Sequence, residues 1–150
     1  MDNCKDYWEY RGGISYEYKG ETFYTVTPIP YYYRRRALLV NLLSLVVDGP
    51  NAVRICDFGC GDGWYLKYLA ERHEEKQWYG VDMSESMIAR ARQACPMAEF
   101  HVSHNGIEVN RTFDLVYSVA VFAHVLDDVE VRDLFKSIAT RGAKRALRAL

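Results

Sequence analysis

Val53-Arg54-Ile55-Cys56-Asp57-Phe58-Gly59-Cys60-Gly61-Asp62-Gly63 is the stretch on which the reading of this chain turns. Its first half, Val53 to Phe58, is a short apolar run bounded by turn residues, which predicts a buried strand. Gly59, Gly61 and Gly63 then predict a tight turn, with a helix opening near Trp64. Glycine has no side chain to hold a ligand off and tolerates positive φ, so such a turn lets a ligand approach the main chain. Its backbone N–H groups are expected to face that ligand, as in a nucleotide-type cradle.

Asp57 discriminates between kinds of nucleotide. A dinucleotide lays its pyrophosphate over such a turn, and a carboxylate at the strand end repels it through poorly screened space. A cationic ligand is attracted instead. S-adenosylmethionine (SAM) joins an adenosine to a sulfonium and a protonated amine, and here the sequence resembles the class I SAM-dependent methyltransferases. Their first motif, an apolar strand ending in Asp-x-Gly-x-Gly-x-Gly, stands at Asp57 to Gly63. The resemblance covers about residues 25 to 140. It implies an α/β fold, a three-layer Rossmann-like doubly wound sheet with strand order 3-2-1-4, lacking the usual C-terminal strands 5 to 7. It also implies SAM as cofactor, with Asp57, Gly59, Cys60 and Gly61 as the first part of its site.

The chain downstream agrees with that motif. Gln77 to Val81 reads as a second strand ending at Asp82, and the interval from Gly63 accommodates one helix and one return strand. The resemblance gives Asp82 the ribose hydroxyls and Met83 the adenine face. Ser84 reads as an N-cap, Met87, Ile88, Ala91 and Cys95 as the buried stripe of the next helix, and Pro96 as its stop. Glu99 to Ser103 is a third strand. Relatives commonly hold the adenine amino group with an acid just beyond it. Here His104 stands there, followed by Asn105, so the contact falls to the histidine or to the Asn105 backbone. His101 and His104 lie three apart in an extended run, point to opposite faces and predict no metal site.

Phe113 to Ser118 is the fourth strand, with Asp114 a structural residue at its start. By resemblance, Ser118 and Val119 offer carbonyls to the donor's ammonium group. His124, in Val121-Phe122-Ala123-His124-Val125, is the candidate catalytic base, and the alternative is a hydrogen-bonded, half-buried histidine. The last stretch places acids at its start and bases at its end, as a helix does to complement its dipole. Val131, Leu134, Phe135 and Ile138 form its buried face, and the basic tail reads as a solvated helix end rather than a nucleic-acid patch. Strand 4 would then present an open edge unless the tail, a second copy or another chain covers it.

Upstream, residues 1–33 are rich in rings and read as an aromatic cap or lid preceding a SAM-binding domain over 34–150. Ile14 to Tyr18 and Glu21 to Val26 alternate around Lys19-Gly20, predicting a hairpin. Tyr24 and Tyr32 are the substrate-lining candidates, since this segment lines the substrate pocket in the resembled family; the alternative is that these rings pack on the core. Pro28 and Pro30 predict an extended approach to a helix over Tyr31 to Val47, with Leu39, Leu42, Leu43, Val46 and Val47 at helical spacing. Arg34, Arg35 and Arg36 open it against the helix dipole. Either Arg36 pairs with the carboxylate tail of SAM or the three form a solvated basic turn.

Length and composition set the frame. A chain of 150 residues holds one domain, and a net charge of −1 gives no bias toward nucleic acid or anionic membrane. Cys4, Cys56, Cys60 and Cys95 lack zinc-site spacing and read as free thiols of a reducing compartment. The most apolar run, Ala37 to Val47, is shorter than a bilayer span, and a cytoplasmic protein is expected. The function expected is in-line methyl transfer to an oxygen or nitrogen of a small-molecule acceptor. Alternatives are a non-catalytic or partner-dependent SAM-binding half and, less favoured, an NAD-dependent oxidoreductase, which Asp57 and the Gly-x-Gly-x-Gly spacing oppose.

Overall fold

The chain alternates strand and helix because apolar runs too short to be helices alternate with segments of 3.6-residue periodicity. The computed structural model describes residues 16–18, 21–23, 29–49, 51–104, 106–108, 110–121, 128–140 and 146–149. Strands β1 (Tyr16–Tyr18) and β2 (Glu21–Phe23) form the antiparallel hairpin expected around Lys19-Gly20. Then follow α1 (Ile29–Val47), β3 (Arg54–Phe58), α2 (Trp64–Ala70), β4 (Gln77–Asp82), α3 (Glu85–Ala94), β5 (Glu99–Val102), β6 (Leu115–Val119), α4 (Asp128–Thr140) and β7 (Ala146–Ala149).

Five of these strands form one sheet in the order β5-β4-β3-β6-β7, and every pairing in it is parallel. Its first four members are the expected 3-2-1-4 arrangement. β3 is central and buried on both faces. Ile55 joins Val40, Leu43, Leu66, Leu69, Ile88 and Tyr117 on the side of α1, α2 and α3. Cys56 and Phe58 join Tyr79, Val81, Phe113, Val116 and Ile138 on the side of α4. The sheet therefore lies between two helical layers, which is what a run without polar alternation requires.

Several expectations are corrected. The tail is not a helix end: Ala146–Ala149 is a strand, paired with β6 from Val116↔Ala146 to Val119↔Ala149. It takes the edge that the sequence left open, because unpaired N–H and C=O groups along β6 are better satisfied by a ladder than by solvent alone. No second copy or other chain is needed for that edge. The helix expected from Tyr31 begins at Ile29 and takes in Pro30, since proline is tolerated in a first turn where its missing N–H has no helical acceptor. It thus crosses the boundary expected between residues 33 and 34. Its core stripe is Val40, Leu43 and Val47, and Leu42 stands outside at 50% exposure. The helix opening at Trp64 ends at Ala70, and Phe135 on α4, expected on the buried face, is 37% exposed.

Local signals that need no tertiary partner hold. Ser84 caps α3 by accepting from the Met87 N–H at 3.2 Å. Asp114 works structurally, receiving the Val53 and Arg54 N–H groups at 3.3 and 2.9 Å. Cys56, Cys60 and Cys95 are buried free thiols. Among the described residues no helix is long and apolar enough to cross a membrane.

Candidate functional site

β3 delivers the chain into the loop Gly59–Gly63 at the carboxyl end of the sheet, where open α/β sheets hold their ligands. Gly59, Gly61 and Gly63 all adopt left-handed φ, at 76°, 54° and 76°. At Gly59 the need is also steric, since a Cβ there would stand 2.0 Å from a methyl of Val121. Val121 reaches that position because the chain leaves β6 through Ala120, itself at φ 64°. At Gly61 the opposite holds: a Cβ would meet nothing within 4 Å, so the loop there faces open space.

Four of the five loop amides do not face that space, contrary to expectation. Gly59 and Cys60 both donate to the Val81 carbonyl, at 2.7 and 3.0 Å, and Gly63 donates to the Cys60 carbonyl at 3.0 Å. Gly61 donates to Asp82 Oδ2 at 2.8 Å. An anion-binding nest needs converging free N–H groups, and these four are committed within the protein. The turn is built as a rigid shape rather than a phosphate cradle.

Acids surround it. Asp57 is 1% exposed, and among the described residues neither of its oxygens has a hydrogen-bond partner of good geometry. It sits in register beside Tyr117 of β6, whose hydroxyl is equally unsatisfied. Burial pushes the Asp57 carboxyl up to about 8; the nearby Tyr117 hydroxyl moderates this, while Asp82 and Asp62 add repulsion. The Tyr117 hydroxyl beside it favours the charged carboxylate. Asp82 is also raised by burial, though the Ser84 and Gly61 N–H groups offset part of that. Asp82 Oδ1 accepts from the Ser84 N–H at 3.0 Å and Oδ2 from the Gly61 N–H, and the Met83 N–H also favours the charged form.

Arg36 is not part of a solvated turn. Arg34 is exposed, but Arg36 is 4% exposed, its guanidinium 3.6 Å from Asp62 and 4.7 Å above the Trp64 ring. Asp62 Oδ1 also accepts the Trp64 N–H at 3.2 Å, so one acid ties α1 to the start of α2. Sequence reasoning missed Asp62, although an acid between the last two glycines of the motif was the available signal. α1 thereby brings its one buried cation to the acidic loop.

The structure gathers Asp57, Gly59, Cys60, Gly61, Asp82 and Arg36 around one turn. Ser118 and Val119 continue β6 past its last paired residue with β3, Tyr117, and the Ser118 hydroxyl is buried without a partner among the described residues. Met83 follows Asp82, half-buried, and His104 is exposed beyond β5. His101 is held by Glu99 at 2.9 Å. Asn105, His124 and Tyr24 lie outside the described residues, as does the side chain of Tyr32 on α1.

Comparison with known proteins agrees with this geometry. A family model described as a methyltransferase domain matches residues 55–143. The chain is 34% identical over 96 residues to trans-aconitate 2-methyltransferase of Variovorax paradoxus, an alignment covering 62% of this chain and 37% of that protein. It is 32% identical over 108 residues to the malonyl-[acyl-carrier protein] O-methyltransferase of Bacillus cytotoxicus, covering 69% of this chain and 38% of that one. The chain thus spans under two fifths of the length of these relatives. Among solved structures, the complex of DhpI with SAH superposes with TM-score 0.68 at 20% identity, over 95% of this chain and 63% of that one. The sugar N-methyltransferase KedS8 from Streptoalloteichus superposes with TM-score 0.64 at 23% identity, over 86% and 54%. With more than half of its residues matched by that model, this chain belongs to the methyltransferase domain family.

Proposed function

We propose that this chain binds S-adenosylmethionine at the Gly59–Gly63 turn and acts in methyl transfer to an oxygen or nitrogen of a small-molecule acceptor. The observation that carries the reading is Asp57, a buried acid held protonated up to about 8 and ready to ionise for a cation, beside a glycine turn in which the Gly59, Cys60, Gly61 and Gly63 amides are already engaged. A cation favours the charged form of such a group, whereas a pyrophosphate opposes its ionisation. An NAD-type ligand lacks that positive charge and meets a turn in which the three glycine amides are already committed.

The residues present fit the cofactor. Asp82 places its carboxylate beside the turn for a ribose diol, the Gly61 surface is open, and Met83 stands next along the chain. Ser118 and Val119 supply carbonyls for the ammonium end, and Arg36 supplies a cation near the carboxylate end. His104 or the Asn105 backbone takes the adenine edge. SAM brings an already activated methyl group, so the protein has to align the acceptor with it and exclude water. Where the acceptor arrives protonated, His124 is the base, with Tyr24 and Tyr32 lining the acceptor's side. The trans-aconitate methyltransferase relative supports a small, polar acceptor.

Calorimetric titration with SAM and with NAD, followed by label transfer from methyl-labelled SAM into the small-molecule fraction of a cell extract, tests the proposal. SAM binding without NAD binding, together with labelled product, is expected. His124→Ala should lower turnover while leaving SAM affinity in place. Tight NAD binding, or no response to SAM, would overturn the assignment.

A further inference from the structure

Helix α1 carries a second apolar stripe that the core does not use. Val40, Leu43 and Val47 face inward, while Leu38, Leu42 and Leu45 are 60%, 50% and 72% exposed. Three aliphatic side chains in line on an exposed helical face mark an interaction surface rather than scatter. Polar residues bound the stripe at both ends and at its middle: Arg34, Asn41 and Asp48 are all exposed. Arg34, Leu38, Asn41, Leu45 and Asp48 succeed one another at steps of three or four and so share one face.

We propose that this face is the two-fold interface of a homodimer, in which α1 lies antiparallel on α1 of a second copy. The pattern is self-complementary about Asn41. An antiparallel pair centred there sets Arg34 against the partner's Asp48 at each end, and brings Leu38 within one residue of the partner's Leu45. Leu42 flanks the axis, and the two Asn41 amides meet on it. A two-fold contact requires this reciprocity, residue i meeting j while j meets i. A parallel pair would set arginine against arginine and aspartate against aspartate, so the charges select the antiparallel arrangement. The arrangement leaves the acidic turn open, because Arg36 and the core stripe point the other way. A helix of 19 residues is about 28 Å long, and a single helix pair lies near the small end of specific interfaces. The expected association is therefore reversible and in the micromolar range. It does not depend on the cofactor assignment.

Sedimentation velocity of the full chain, from about 1 to 200 μM, tests the proposal. A concentration-dependent monomer–dimer equilibrium is expected, with circular dichroism confirming the fold of each variant. Leu38→Glu/Leu45→Glu should abolish the dimer. Arg34→Asp and Asp48→Arg should each weaken it about tenfold or more, and the double charge swap should restore it to near wild type. The swap is the decisive arm, because Asp48 also lies 3.5 Å from His73 within its own chain and only a true cross-dimer pair explains recovery. A monomer throughout the range, a dimer indifferent to the leucine changes, or a swap without recovery would each overturn the proposal.

Discussion

Two aspartates at opposite ends of the same sheet have opposite fates. Asp114, where the chain enters β6, accepts the Val53 and Arg54 N–H groups and lies 3.8 Å from the Arg54 side chain. Its own N–H donates to the Arg54 carbonyl at 2.8 Å, completing a clasp between the starts of β3 and β6. Asp57, at the far end of β3, is more deeply buried and has no such bond among the described residues. The first acid is consumed by the fold. The second weakens the fold and is left for something else to satisfy, so the amino ends of these strands hold the sheet and the carboxyl ends hold its chemistry.

The largest effect expected from this contrast is on stability. Between the ordinary carboxylate value and about 8, native Asp57 keeps a proton that the unfolded chain releases. Unfolding free energy therefore falls as pH rises through that window, by at most about 1.4 kcal/mol per pH unit. Asp57→Asn removes the titration, so the variant should be the more stable by several kcal/mol at pH 8 and nearly matched at pH 4, as read by urea denaturation. Equal pH profiles for the two would erase the distinction between the acids.

Next comes ligand affinity. Asp57→Asn should weaken SAM binding roughly 10- to 100-fold, the usual worth of a charged hydrogen-bonding partner. In the wild type, affinity should rise from pH 6 to 7.5, since the charged carboxylate is the form that receives a cation. Asp114→Ala should do the converse, costing about 1–3 kcal/mol of stability while the folded fraction binds SAM unchanged. Asp82→Ala blends the two, because Asp82 both braces Gly61 and is the acid proposed to hold the ribose. A loss of about tenfold in affinity together with about 1 kcal/mol of stability is expected, by titration and denaturation on the same sample.

Much of this was legible before folding. The strand–turn–helix at Val53 to Gly63, the acid at Asp82 one helix and one strand later, and the Ser84 cap each depend on neighbours in sequence. Asp114 could be read as structural because it opens a strand. Three features could not be read. The tail's composition suits a helix end, and only the free edge of β6 makes Ala146–Ala149 a strand. The three arginines of α1 are chemically alike, and burial of Arg36 follows from where α1 lands on Trp64 and Asp62. The inward amides of the turn depend on the Val81 carbonyl and Asp82, which arrive on another strand.

By itself, then, the sequence determined the order of elements from β3 to α4, the position of the turn and which acids stand at strand ends, since hydrophobic period and glycine placement act over a few residues. Only the tertiary structure decided which of those acids stays unsatisfied, which arginine is buried and which edge the tail covers. Those outcomes are set by hydrogen bonds and desolvation between segments far apart in the chain, and local propensity carries no information about them.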